Sequence, residues 1–206
     1  MQRESRLIAG LALEERSDSG DESPRLVGYA ALFDVETNLA GVFREKIARG
    51  AFGEAIGKSD IHALFNHDDN IVLGRMKSGT LSVAEDEKGL KVSIIPPDTQ
   101  DARDLLVKMK RGDIDQMSFQ FTMAGGKQSW DDSIEPPLRT IEKVGELYDV
   151  SVVTRGQYPD TEVAVRSLQE FRKMKAASVA SRNFSAANLR IRRKMDLEQR
   201  LRSKGP

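Results

Sequence analysis

No cysteine occurs among the 206 residues. That excludes a disulfide framework, thiolate zinc or iron–sulfur ligation, and a cysteine nucleophile. Histidine is almost as scarce: His62 and His67 are the only two, at most half of a tetrahedral zinc site, so neither a metal nor a cofactor is expected. Long apolar runs are also missing, and the stretch around Val152 falls far short of the roughly 20 residues a membrane-spanning helix needs. The opening residues, Met1-Gln2-Arg3-Glu4-Ser5-Arg6, are charged and lead into no apolar core, so they do not read as a secretory signal. The expectation is a soluble intracellular protein whose mature chain is the one synthesised.

What is present is charge, and it is unevenly placed. Thirty-two basic residues balance 32 acidic ones, yet Arg172 to Pro206 holds eleven basic against two acidic residues, leaving 21 and 30 in residues 1–171. The body is therefore −9 and the tail +9. Such a tail reads as a solvated helix, or as a docking element for an acidic partner or for the acidic body itself. Nucleic acid is disfavoured, because the tail has no Tyr or Trp to stack bases and no domain-wide basic surface supports it.

About 200 residues can bury roughly 70% of their unfolded surface, enough for one core with an appendage. Residues 14–25 are charged and rich in Ser and Gly, so they read as a mobile loop, and 124–137 as a second long loop with Trp130 as its anchor. Ala176 to Ala187 is small and polar and reads as a flexible joint before a last helical run, Asn188 to Arg202. Between these, Val27, Tyr29, Ala31 and Phe33 share one parity of a half-buried strand. Residues 51–57 form a short helix, and 61–67 a strand running into polar Asp68. Residues 81–95 form a hairpin. Residues 99–112 form an amphipathic helix capped at Asp98 or Thr99 and stopped at Gly112. Residues 116–121 alternate as a strand, and 138–154 supply one or two more. The fold class is α+β and β-rich, better suited to a barrel or bent sheet with flanking helices than to a doubly wound fold.

Chemistry without cysteine turns attention to serine. In Gln116-Met117-Ser118-Phe119-Gln120-Phe121, alternation sends Met117, Phe119 and Phe121 to the core and Ser118 to the opposite face. His67 ends an apolar run, which would leave its ring at a rim where it could accept a hydroxyl proton. His62 lies in the same run and stays open as the other candidate. Asp149 interrupts the apolar strand 147–153, and a carboxylate in such a setting requires a partner, either a cation or an imidazole. Asp68 is a weaker partner for His67, since adjacent residues on extended chain point to opposite faces.

These segments together resemble the prohead, or capsid maturation, serine proteases of tailed bacteriophages. The likeness runs through Gly28-Tyr29-Ala30 and Phe33, Gly50-Ala51-Phe52, Asn66-His67-Asp68, Leu73-Gly74-Arg75, and Lys110-Arg111-Gly112-Asp113. It continues in Met117-Ser118-Phe119 with Phe121, and in Val150-Ser151-Val152-Val153-Thr154, so it spans about residues 26–168 in the family's order. The resemblance implies a fold similar to the herpesvirus protease, a β-barrel flanked by helices, with a basic helical C-terminal tail. It divides the chain into an N-terminal segment with the charged loop (1–25), a protease domain (26–171) and a tail (172–206) open to self-cleavage. It implies a serine endopeptidase with Ser118 as nucleophile, His67 as general base and Asp149 orienting the histidine. The family commonly has Glu before this strand, so Glu146 is the fallback for the acid.

Arg75 is a candidate to assist the reaction through a held water. The family's Pro-Ala-x-Pro turn is replaced here by Thr154-Arg155-Gly156-Gln157-Tyr158-Pro159. The implied partners are the major capsid protein with its scaffold segment and the chain itself, with room for a homo-oligomer and no membrane. The implied location is the immature capsid in the host cytoplasm. The alternative is a non-catalytic capsid assembly or scaffold protein that keeps the protease fold.

Overall fold

Short runs of alternating polar and apolar residues, broken by Gly and Asp turns, make most of this chain into strands. The structure, a computed structural model, describes residues 3–9, 11–14, 24–154 and 161–202. Most of the charged loop 14–25, and the segment 155–160 with Pro159, lie outside the described residues. The chain divides into two units, Met1–Ala164 and Val165–Pro206.

The first unit is a strand-rich α+β body. One sheet of five strands is ordered β1 (Glu4–Ala9), β10 (Gln116–Thr122), β13 (Glu146–Val153), β6 (His62–Phe65) and β7 (Asp68–Arg75). A second is ordered β11 (Lys127–Asp131), β12 (Leu138–Lys143), β5 (Phe43–Ile47) and β4 (Thr37–Leu39). The third is ordered β2 (Leu11–Glu14), β3 (Arg25–Leu32), β9 (Gly89–Ile94) and β8 (Leu81–Glu85). Pairing is antiparallel except between β12 and β5 and between β13 and β6. Helices α1 (Gly53–Lys58) and α2 (Gln100–Lys110) belong to this unit. No ladder closes on itself among the described residues, so three open sheets stand where the resemblance implied a β-barrel, and of the two forms read from the strand pattern the bent sheet is the one that fits. Register shifts between Tyr29 and Ala31 and between Gln120 and Phe121 bend the strands, which lets separate sheets share a core without closing.

The first of those bulges corrects the parity read for residues 26–33. Leu26 and Ala30 face inward, and the shift then brings Ala31 and Phe33 inward as well. Gly89 lies against this bulge, where an added Cβ would sit 2.0 Å from the Ala31 carbonyl oxygen, so no side chain fits. In α2 the reading holds: Thr99 Oγ1 accepts from the Ala102 N–H, and Gly112 follows the helix at φ +81°. The stretch 124–137 is not simply a loop, since residues 127–131 form β11. Its polar composition reflects an exposed edge strand rather than missing structure. Trp130 anchors it edge-on to Phe43 at 4.9 Å.

Phe52, at the start of α1, bridges the body's interior. It meets Phe33 at 6.3 Å and Phe119 edge-on at 5.4 Å, and Phe119 stacks on Phe121 at 5.3 Å. The back of β10 is thereby fixed in the core. The segment before residue 26 is also built in: β1 pairs with β10, Leu7 opposite Ser118. A buried ionic cluster holds it. Arg139, 1% exposed, donates to Glu4 at 2.7 and 3.0 Å and to Glu45 at 2.9 Å, and Arg6 bonds both carboxylates as well. Burial alone would raise the Glu4 carboxyl, but the hydrogen bond and charge of Arg139, with Arg6, hold it below its ordinary value.

The second unit is carried by α3, a helix running without interruption from Thr161 to Arg202. The expected joint at 176–187 is therefore helical. Alanines at 176, 177, 180, 186 and 187 favour helix more than any other residue. Arg172, Lys173, Arg182, Arg190, Arg192 and Arg193 are exposed along it.

Candidate active site

Ser118 sits in the middle of β10. Met117, Phe119 and Phe121 are fully buried, and this anchored face turns Ser118 to the other side with Gln116 and Gln120, as the alternation predicts. At 5% exposure the serine is more enclosed than a surface strand residue.

His67 does not end a strand. Asn66 and His67 are the two central residues of a tight hairpin turn, with Phe65 paired to Asp68. Their φ values are +53° and +59°, the left-handed pair of a type I′ turn, whose twist matches the flanking strands. Asn and His are among the non-glycine residues that accept this region most readily. The turn aims the imidazole between two strands: Nε2 lies 2.8 Å from Ser118 Oγ and Nδ1 lies 2.6 Å from Asp149 Oδ1.

Asp149 is on β13, which pairs with β10 so that Ser151 stands opposite Ser118 and Asp149 opposite Gln120. The carboxylate is 4% exposed, and its partners are His67 and the Ser151 hydroxyl, which donates to Oδ1 at 2.7 Å. With Nδ1–H given to the carboxylate, the Nε2 lone pair faces the Ser118 hydroxyl. An imidazole so held can take that proton as the oxygen attacks a carbonyl.

A family model for the caudovirus prohead serine proteases matches residues 11–176. The chain belongs to this family. Among solved structures, the bacteriophage T4 capsid assembly protease aligns with this chain at 11% identity and a TM-score of 0.46, covering 73% of this chain and 98% of that one. No curated protein sequence matches the chain significantly. Serine proteolysis during phage capsid maturation is the role the family carries. No helix among the described residues is long and apolar enough to cross a membrane.

The other candidates fall elsewhere. His62, on β6, is in register beside Asp149 and lines a polar pocket with Asp60, Asp69 and Glu146, but His67 is the residue that bonds both Ser118 and Asp149. Glu146 is exposed at the start of β13 and interacts with Tyr148; burial, then Glu146, raises the Tyr148 hydroxyl. Asp68 accepts from the backbone and side-chain amides of Asn70. Arg75 gives its guanidinium to Asp60, and that contact holds the Asp60 carboxyl down to about 2.

Three residues that matter to this geometry occur in the quoted motifs with no role of their own read for them. Ser151 shares the parity of Asp149, so strand alternation alone could have suggested it. Asn66 and Thr154 bond each other across 88 positions of sequence, and nothing local announces that pairing.

Proposed function

We propose that the chain is a serine endopeptidase that removes scaffold segments from the major capsid protein, and then parts of itself, inside the immature phage capsid in the host cytoplasm. Ser118 is the nucleophile, His67 the general base and Asp149 the residue that orients and stabilises the imidazole. The observation that carries this reading is the continuous line of hydrogen bonds from Ser118 through His67 to Asp149.

As Ser118 Oγ attacks the scissile carbonyl carbon, its proton passes to His67 Nε2. The tetrahedral oxyanion collapses with cleavage of the C–N bond, and the leaving amine takes the proton from His67. Water then attacks the acyl-enzyme, giving its proton to the same nitrogen, and Ser118 recovers its hydrogen as the new carboxyl product departs. Asp149 holds the ring in place and stabilises the imidazolium that forms twice per cycle.

On this reading the cationic tail is a docking element or a site of self-cleavage. The test is coexpression with the phage's coat protein, comparing the native chain with Ser118→Ala. Processed coat and a shortened protease with the native chain only are the expected result. Equal processing in both would overturn the assignment of Ser118.

A further inference from the structure

The His67 turn is fastened to β13 at a point other than its ring. Asn66 donates its backbone N–H to the Val152 carbonyl at 2.9 Å. The Thr154 backbone N–H donates to Asn66 Oδ1 at 2.9 Å, while Asn66 Nδ2 donates to Thr154 Oγ1 at 3.0 Å. The Thr154 hydroxyl in turn donates to Asn66 Oδ1 at 3.2 Å. A main-chain bond and a reciprocal side-chain pair therefore converge on the residue that precedes His67. The strand that ends just before Thr154 also supplies Asp149 to the ring.

Both Asn66 and Thr154 are exposed, and exposed hydrogen bonds contribute little net stability because water replaces them readily. Their geometric effect is larger. A hairpin of two non-glycine residues at positive φ has few other contacts to fix the direction in which its second side chain leaves the backbone. A ring that must keep 2.8 Å to one partner and 2.6 Å to another has little room for error.

We propose that Asn66 and Thr154 are positioning residues: they act through the backbone of the turn to hold His67 between Ser118 and Asp149. This rests on His67 being the general base. In consequence β13 and the residue that follows it fix the histidine from two ends, by the ring through Asp149 and by the turn through Val152 and Thr154. Loosening the second attachment slows the chemical step and leaves ground-state binding alone, because neither residue touches the reacting atoms.

The test is the rate at which a fluorophosphonate probe modifies Ser118 in the full chain, resolved into a saturating rate and a half-saturating concentration. Thr154→Val removes the hydroxyl at nearly constant shape and is expected to lower the saturating rate about tenfold or more, a loss in keeping with sub-ångström to ångström misplacement. The half-saturating concentration stays within about twofold. Thr154→Ser restores the rate, and Asn66→Gly, which keeps the turn's backbone accessible, lowers it as Thr154→Val does. The low-field proton signal of the His67–Asp149 hydrogen bond weakens in the slow variants and returns with Thr154→Ser.

A Thr154→Val chain that reacts at the native rate would overturn the proposal. So would equal loss with Val and Ser accompanied by a lower melting temperature, which marks a merely structural role. Absence of labelling in the native chain, or undiminished labelling in Ser118→Ala, would instead overturn the nucleophile assignment and take the clamp with it.

Discussion

His67 Nδ1 donates to Asp149 Oδ1 across 2.6 Å in a contact that leaves only 14% of the one side chain and 6% of the other exposed. A carboxylate buried on an apolar strand needs a partner of this kind, since an unpaired one costs several kcal/mol. The contact also fixes the tautomer: a proton held on Nδ1 leaves Nε2 free to accept from Ser118.

Replacing Asp149 by Asn keeps the volume and reverses this preference. Asp149→Asn is predicted to slow coat processing by about 10³–10⁴-fold, as loss of the orienting acid does in established serine proteases, with little change in melting temperature. Glu146→Gln stays near the native rate. Timed sampling of the cleaved coat product checks both, and the opposite order would transfer the role to Glu146.

The two histidines separate in the same assay. His67→Ala is predicted to abolish processing, whereas His62→Ala keeps activity within about tenfold, since His62 borders Asp149 without bonding Ser118. Loss with His62→Ala alone would contradict the geometry.

Ser151→Ala removes the second donor to the Asp149 carboxylate. Leaving part of a buried carboxylate without a donor costs about 1–3 kcal/mol, so urea unfolding is predicted to show a loss of that order. Processing slows by roughly tenfold as the acid loses one of its two restraints.

The ionic cluster on β1, β5 and β12 predicts a stability effect separate from the chemistry. Arg139→Met leaves Glu4 and Glu45 buried with one cation fewer and is expected to destabilise the fold by about 3–5 kcal/mol. The Glu4 carboxyl is held below its ordinary value of 4.5 in the folded chain. Its contribution is therefore complete above that value and is lost as pH falls through the lower, folded one. Urea midpoints measured from pH 7 down to pH 3 should fall more steeply in the native chain than in Arg139→Met. Parallel curves would remove Glu4 from the account.

Much of this site was legible because it obeys strand periodicity. The apolar partners Met117, Phe119 and Phe121 gave Ser118 its face, and Asp149 stood out as a charge in an apolar run. The turn at His67 was not legible: without a glycine, Asn66-His67 reads as the end of one strand, and the bonds Asn66 makes to Val152 and Thr154 reach across more than 80 positions of sequence. Likewise, the parity of β3 is hidden from the sequence because a bulge changes phase within one strand, which a period-two pattern does not encode. By composition the polar edge strand around Trp130 and the alanine-rich middle of α3 read as irregular chain; cross-strand pairing in the one and helix propensity in the other override it.

The central claim is that Ser118 is made nucleophilic by His67. Peptide mass mapping of the full chain after fluorophosphonate treatment tests it directly. A single adduct on Ser118 in the native chain, lost in His67→Ala, is the predicted result; an adduct elsewhere, or one on Ser118 that forms equally fast without His67, would contradict it.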